Sequence, residues 1–161
     1  MSKRKPIKRK IPLKQQLIGD RTLTLEERLK DSETFPEGPM NLVKNSEEKM
    51  SDILLSFATP LLNGTESIEE ADRLIGFAMA VWNISMTPKV DRAAAIPAIA
   101  GVFCSDTGKG IEGTLSLLRT LLQRKDDYFS HVKKYIIDYE ISLKNGEPSL
   151  KVIWAPLIPE A

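Results

Sequence analysis

The stretch from Ile68 to Met86 limits the fold more than any other part of this chain. Ile68, Ala71, Ile75, Ala78, Trp82 and Ser85 recur at helical spacing, and Leu74, Phe77, Val81 and Ile84 form an adjoining stripe. From Gly76 to Ile84 only Asn83 is polar, so the second half of this helix is apolar nearly all round. Such a helix belongs inside, with neighbours on several sides. Ser67 and Glu70 read as a capping box at its start. Thr87-Pro88 closes it, because the residue before a proline is pushed out of the helical region.

Other segments must wrap that helix. Met50, Ile53, Leu54, Phe57, Ala58 and Leu61 share one face of a second helix, bent or ended by Pro60 and stopped by Asn63-Gly64. After Pro88, an alanine-rich segment is expected to break at Pro97 into two short pieces, the second reaching about Cys104. Ser105 to Gly110 reads as a loop. Ile111, Leu115, Leu118 and Leu122 then mark a helix to about Lys125, with Asp126 to Val132 continuing for a further turn or two. Thr24 to Lys30 is a short capped helix, followed by a linker from Asp31 to Asn41.

The C-terminus changes period. Tyr135, Ile137, Tyr139, Ile141 and Leu143 alternate with Lys134, Ile136, Asp138, Glu140, Ser142 and Lys144, the pattern of a half-buried strand. Asn145-Gly146 is the strongest short hairpin signal. With those two as the turn, Lys144 faces Glu147, Ile141 faces Leu150, Glu140 faces Lys151, Tyr139 faces Val152 and Ile137 faces Trp154. Pro148 falls opposite Leu143 at a site where its missing N–H costs the ladder nothing.

Charge separates the ends. Of 23 basic residues, seven lie within the first 14, namely Lys3, Arg4, Lys5, Lys8, Arg9, Lys10 and Lys14, while all 22 acids lie beyond them. This arm, with Pro6 and Pro12 and no period, is expected to be disordered when free. Its seven cations suit contact with nucleic acid or an acidic partner. It has no aromatic to stack on bases, so such contact would not depend on sequence. The plainer reading is a solubilising tail, or an arm lying on the protein's own acidic body.

Reactive chemistry finds little support. The lone cysteine, Cys104, sits beside Val102 and Phe103 as a packed thiol would, and a single cysteine fits a reducing compartment. His131 is the only histidine, with Asp127 one helical turn away, which is too few ligands for a metal site. No apolar run reaches the ~18 residues of a membrane span. No catalytic residue, metal or cofactor is assigned.

One motif carries a resemblance. Asp106-Thr107-Gly108-Lys109-Gly110-Ile111, with Asn41-Leu42-Val43-Lys44-Asn45-Ser46 upstream, resembles the paired motifs of GHKL-type ATPases, the histidine-kinase and gyrase class. The resemblance implies a nucleotide-binding sandwich in which Asn45, Asp106, Gly108 and Gly110 hold the nucleotide and its magnesium. It covers about a dozen residues. The segment between the motifs reads as helix where that family carries strands, and the family's later glycine-rich lid is only echoed by Gly113 to Leu117.

The expected architecture is therefore α+β, mostly α: four to five packed helices with a C-terminal antiparallel hairpin and a basic arm in front. Residues 1–40 form a flexible arm and linker with a short helix near 24–31, and residues 41–161 form one helical domain with strands at 134–143 and 149–155. The expected function is a small non-catalytic interaction or regulatory protein of the cytoplasm, or of the nucleus if eukaryotic. It touches a partner through the arm, and a partner or a second copy through the hairpin edge. A divergent GHKL-type nucleotide-binding protein is the second reading.

Overall fold

The computed structural model describes residues 12–19, 21, 25, 27 and 49–157. Among them are five helices and two strands: α1 (Leu13–Ile18), α2 (Met50–Leu62), α3 (Ile68–Ser85), α4 (Lys89–Thr107), α5 (Gly110–Tyr128), β1 (Lys134–Lys144) and β2 (Glu147–Pro156). This is the expected α+β class.

α3 is the central rod. The Ser67 hydroxyl accepts the Glu70 N–H at 3.1 Å, which satisfies one orphan donor of the first turn, and the Glu70 carboxylate reaches back to accept the Glu66 N–H at 3.3 Å, just before the cap. Every residue from Leu74 to Trp82 is buried, and Val81 and Trp82 are fully so. α1, α2, α4, α5 and β1 all touch this helix. Phe57 of α2 meets the Trp82 ring edge-on at 5.1 Å, and Phe129 closes the triangle at 5.8 Å from Trp82. Burying three such rings contributes several kcal/mol, at roughly 25 cal/mol per Å² of apolar surface.

α4 departs from expectation. It runs unbroken through Pro97, which was expected to split it. Ala93, whose carbonyl loses its partner to the proline ring, lies with Ala94 and Pro97 on the exposed side, where solvent rather than the core faces the break. The helix also continues to Thr107, so the expected loop from Ser105 shrinks to Gly108 and Lys109. Gly108, with φ +68°, supplies the left-handed turn that ends it.

α5 reaches Tyr128 and is anchored by Lys125, which is only 4% exposed. Its ammonium donates to the Phe129 carbonyl at 3.0 Å and lies 4.5 Å above the Trp82 ring. Burial, with Lys133 nearby, lowers its pKa below the ordinary lysine value.

The N-terminal segment was expected to be arm. Instead Leu13–Ile18 forms a helix whose Ile18 enters the core at 4% exposure, with Leu17 packed against it. Two residues of a six-residue helix are too few for a hydrophobic period to register. The helix expected near 24–31 lies outside the described residues except for helical Leu25, which is buried, and Glu27. The linker from Asp31 to Asn41 lies outside them too.

Candidate functional site

The hairpin is where the fold leaves polar backbone unassigned. Asn145 (φ +53°) and Gly146 (φ +80°) make the two-residue turn. The expected register holds from Lys144 opposite Glu147 down to Tyr139 opposite Val152. Below that it is corrected by a β-bulge: Trp154 faces Ile136, not Ile137. The bulge leaves Ile137 40% exposed and sets Ile136 on the inner face with Tyr139, while Ile136, Asp138 and Tyr139 are each 7% exposed or less. Side chains from α3 and from Arg21 grip the strand on either side of it.

The first grip comes from α3. The Asn83 amide donates to the Ile136 carbonyl at 2.8 Å, and its oxygen accepts the Ile136 N–H at 2.9 Å, which imitates a neighbouring strand. One residue earlier, Trp82 Nε1 donates to the Lys134 carbonyl at 2.8 Å. The second grip is Arg21, which donates to Asp138 and to the Tyr139 carbonyl at 2.9 Å each, and to Asp72 at 3.3 Å. Its guanidinium stacks 3.9 Å from the Tyr139 ring centre. The Tyr139 hydroxyl donates to the Asp72 carbonyl at 2.8 Å, and burial pushes its pKa far above the ordinary phenol value.

Antiparallel alternation then shows what each edge offers. A two-residue turn makes Lys144 and Glu147 a hydrogen-bonded pair, so the backbone groups of residues 139, 141, 143, 148, 150 and 152 point away from the ladder. Past the bulge, the Leu157 N–H bonds the Lys133 carbonyl at 2.8 Å, which points residues 134, 136, 154 and 156 outward. On β1, the outward groups at 134, 136 and 139 are those that Trp82, Asn83 and Arg21 occupy, leaving only Ile141 and Leu143 near the tip. On β2, Leu150, Val152 and Trp154 face outward, and among the described residues no group bonds to them there. Pro148 and Pro156, which have no N–H, bracket that run. All three side chains are half-buried, packed on the edge of the core above α2.

The other candidate residues fall elsewhere. Lys14 sits on α1 with its ammonium 2.7 Å from the Asp106 carboxylate, whose side chain is 7% exposed. It also lies 5.8 Å from the Phe103 ring. One arm cation therefore rests on the protein's own body. Lys3, Arg4, Lys5, Lys8, Arg9 and Lys10 lie outside the described residues, as does Asn45. Asp106 stands in the last turn of α4, and Gly108 and Gly110 both take positive φ in the tight α4–α5 turn. That turn is closed by its own threonines, Thr107 and Thr114, 2.6 Å apart. The sandwich that the nucleotide-binding resemblance implies is not the fold here, since the sheet of the described residues has two strands.

His131 is exposed beyond the end of α5, and Asp127 accepts from Gln123 at 2.8 Å. Cys104 is half-buried and donates weakly to the Gly101 carbonyl. Among the described residues no three metal-ligating side chains gather, and no helix is long and apolar enough to cross a membrane. A cleft of about 310 Å³ lies between α1 and the start of α3, lined by Lys14, Arg21, Asp72, Arg73 and Tyr139. Arg21 there is already committed to two carboxylates. Arg21 itself was missed in the sequence, because nothing local marks an arginine whose partners lie 51 and 117 residues away.

In comparisons with known proteins, no family model matches the chain, and no curated protein or solved structure is detectably similar to it.

Proposed function

We propose that this is a non-catalytic interaction protein whose helical body serves to hold and present a β-hairpin, with the basic arm as a second, electrostatic contact. The observation that carries the reading is the inequality of the hairpin's two edges. Side chains from α3 and from Arg21 fill most of the β1 edge. The Leu150, Val152 and Trp154 edge of β2 keeps its backbone groups for an added strand. The polar side chains of Asn83, Arg21, Asp72 and Asp138 are engaged in holding the strand.

Selection of extended peptides from a displayed random library tests the edge. Binders are expected to be lost in Val152→Pro and kept in Leu143→Pro, since both prolines remove an outward N–H without touching the internal ladder. Peptides indifferent to Val152→Pro would refute the reading. For the arm, fluorescence anisotropy with a duplex oligonucleotide is the test. With Lys14 held by Asp106, six arm cations remain, so the slope of log affinity against log salt should be no steeper than about −5. Removal of residues 1–11 should abolish binding. Binding that survives that truncation would rule the arm out.

A further inference from the structure

We infer that the occupant of the β2 edge is the β2 edge of a second copy, paired antiparallel about Val152 to make one continuous four-stranded sheet. The inference rests on the interaction reading of the hairpin and names the partner. Its basis is a symmetry of the strand itself. Pro148 and Pro156 stand four residues either side of Val152, and Leu150 and Trp154 stand two residues either side. A two-fold axis at Val152 therefore sets Val152 opposite Val152 of the second copy, Leu150 opposite its Trp154, and Pro148 opposite its Pro156.

This register alone matches all three open residues with one another. Sliding either way by one rung sets a proline opposite an open residue, whose carbonyl then faces a nitrogen without hydrogen. Sliding toward the turn also brings Lys151 directly opposite Lys151, which is unfavourable. In the symmetric register Lys151 instead meets Ile153, and Ser149 meets Ala155. On the inner face, Leu150, Val152 and Trp154 of both copies form one apolar row, and each of these side chains is only half covered in the single chain.

The largely filled β1 edge, with only Ile141 and Leu143 open near the tip, explains why such pairing would stop at two. A strand with two open edges propagates into a fibre, whereas here the outer strands of the four-stranded sheet are both β1. Their outward groups at 134, 136 and 139 are already bonded to Trp82, Asn83 and Arg21. The assembly is a closed dimer.

Light scattering on the full chain across a concentration series reads the outcome. Wild type is expected at twice the 18.0 kDa chain mass. Val152→Pro is expected at the single-chain mass with an unchanged circular dichroism spectrum, and Leu143→Pro is expected to stay dimeric. A second measurement does not depend on the proline variant folding. In a Cys104→Ser background, Val152→Cys should be joined to its mate by a short thiol cross-linker, because the two residues are directly opposed. Ser149→Cys should not be joined, since it stands three residues from the axis. A wild type that stays monomeric overturns the proposal, as do a folded Val152→Pro dimer and cross-linking of Ser149→Cys as efficient as that of Val152→Cys. A monomer that still binds strand peptides through Val152 would overturn the second copy as occupant and leave the interaction reading standing.

Discussion

Replacing Asn83 by alanine removes the two hydrogen bonds that fasten β1 to α3, at 2.8 and 2.9 Å. Each is an ordinary neutral bond with a net value of about 1 kcal/mol. The larger cost is on the strand: Ile136 is 2% exposed, so its N–H and C=O lose their partners in a place water reaches poorly. An orphaned buried group costs about 1–3 kcal/mol, and Asn83 is itself only half-buried, which lets some water in behind the alanine. The sum is a loss of about 2–4 kcal/mol. Asn83→Asp keeps an acceptor for the Ile136 N–H but sets a carboxylate against the Ile136 carbonyl, so it should do no better than alanine. Urea titration followed by Trp fluorescence measures the loss as a midpoint shift at unchanged slope, on the order of 1–2 M for a slope of about 2 kcal/mol/M. A loss below about 0.5 kcal/mol, or an unchanged exchange rate for the Ile136 amide, would refute the claim that this side chain stands in for a strand.

Gly76 lies inside α3, where alanine would ordinarily gain about 1 kcal/mol; here a Cβ would fall 2.9 Å from the Tyr139 hydroxyl and 3.1 Å from Ile18. Gly76→Ala should therefore destabilise by about 1–3 kcal/mol in thermal or urea unfolding. Pro97→Ala should act the other way, restoring a bond to Ala93 on an exposed face and raising the melting temperature by several degrees, for a gain of up to about 3 kcal/mol. Tyr139 stays protonated in the fold because burial denies the phenolate its hydration, whereas in the unfolded chain it ionises near pH 10. Above that pH the folded chain holds the extra proton, so stability is full below about pH 9 and falls by about 1.4 kcal/mol per pH unit beyond 10. In alkaline titrations Tyr139→Phe should lose that slope, at a cost near neutrality of about 1 kcal/mol for the bond to Asp72.

How much of this was legible in the chain depends on the range of the interaction. α3 could be read to within a residue, because its cap, its apolar run and Thr87-Pro88 are all local. The upper hairpin was legible for the same reason, with Asn145-Gly146 fixing the register. The bulge was not, although Tyr135-Ile136-Ile137-Asp138 carries apolar residues at both parities, which is the trace a bulge leaves. Choosing the inward residue requires Asn83 and Arg21, and those are distant in sequence. Pro97 misled because a proline's cost depends on which side of the helix faces water. For the candidate site, Pro148 could be placed at an outward position from the turn alone. The sealing of β1, which gives that edge its meaning, comes only from the packed helices.

Residue-resolved hydrogen exchange of the hairpin amides tests the central claim most directly. The account requires slow exchange at Ile136. It also requires fast exchange at Leu150, Val152 and Trp154 in dilute protein, slowing as concentration rises. Ile136 exchanging as freely as Leu150, or Val152 protected at every dilution, would contradict it.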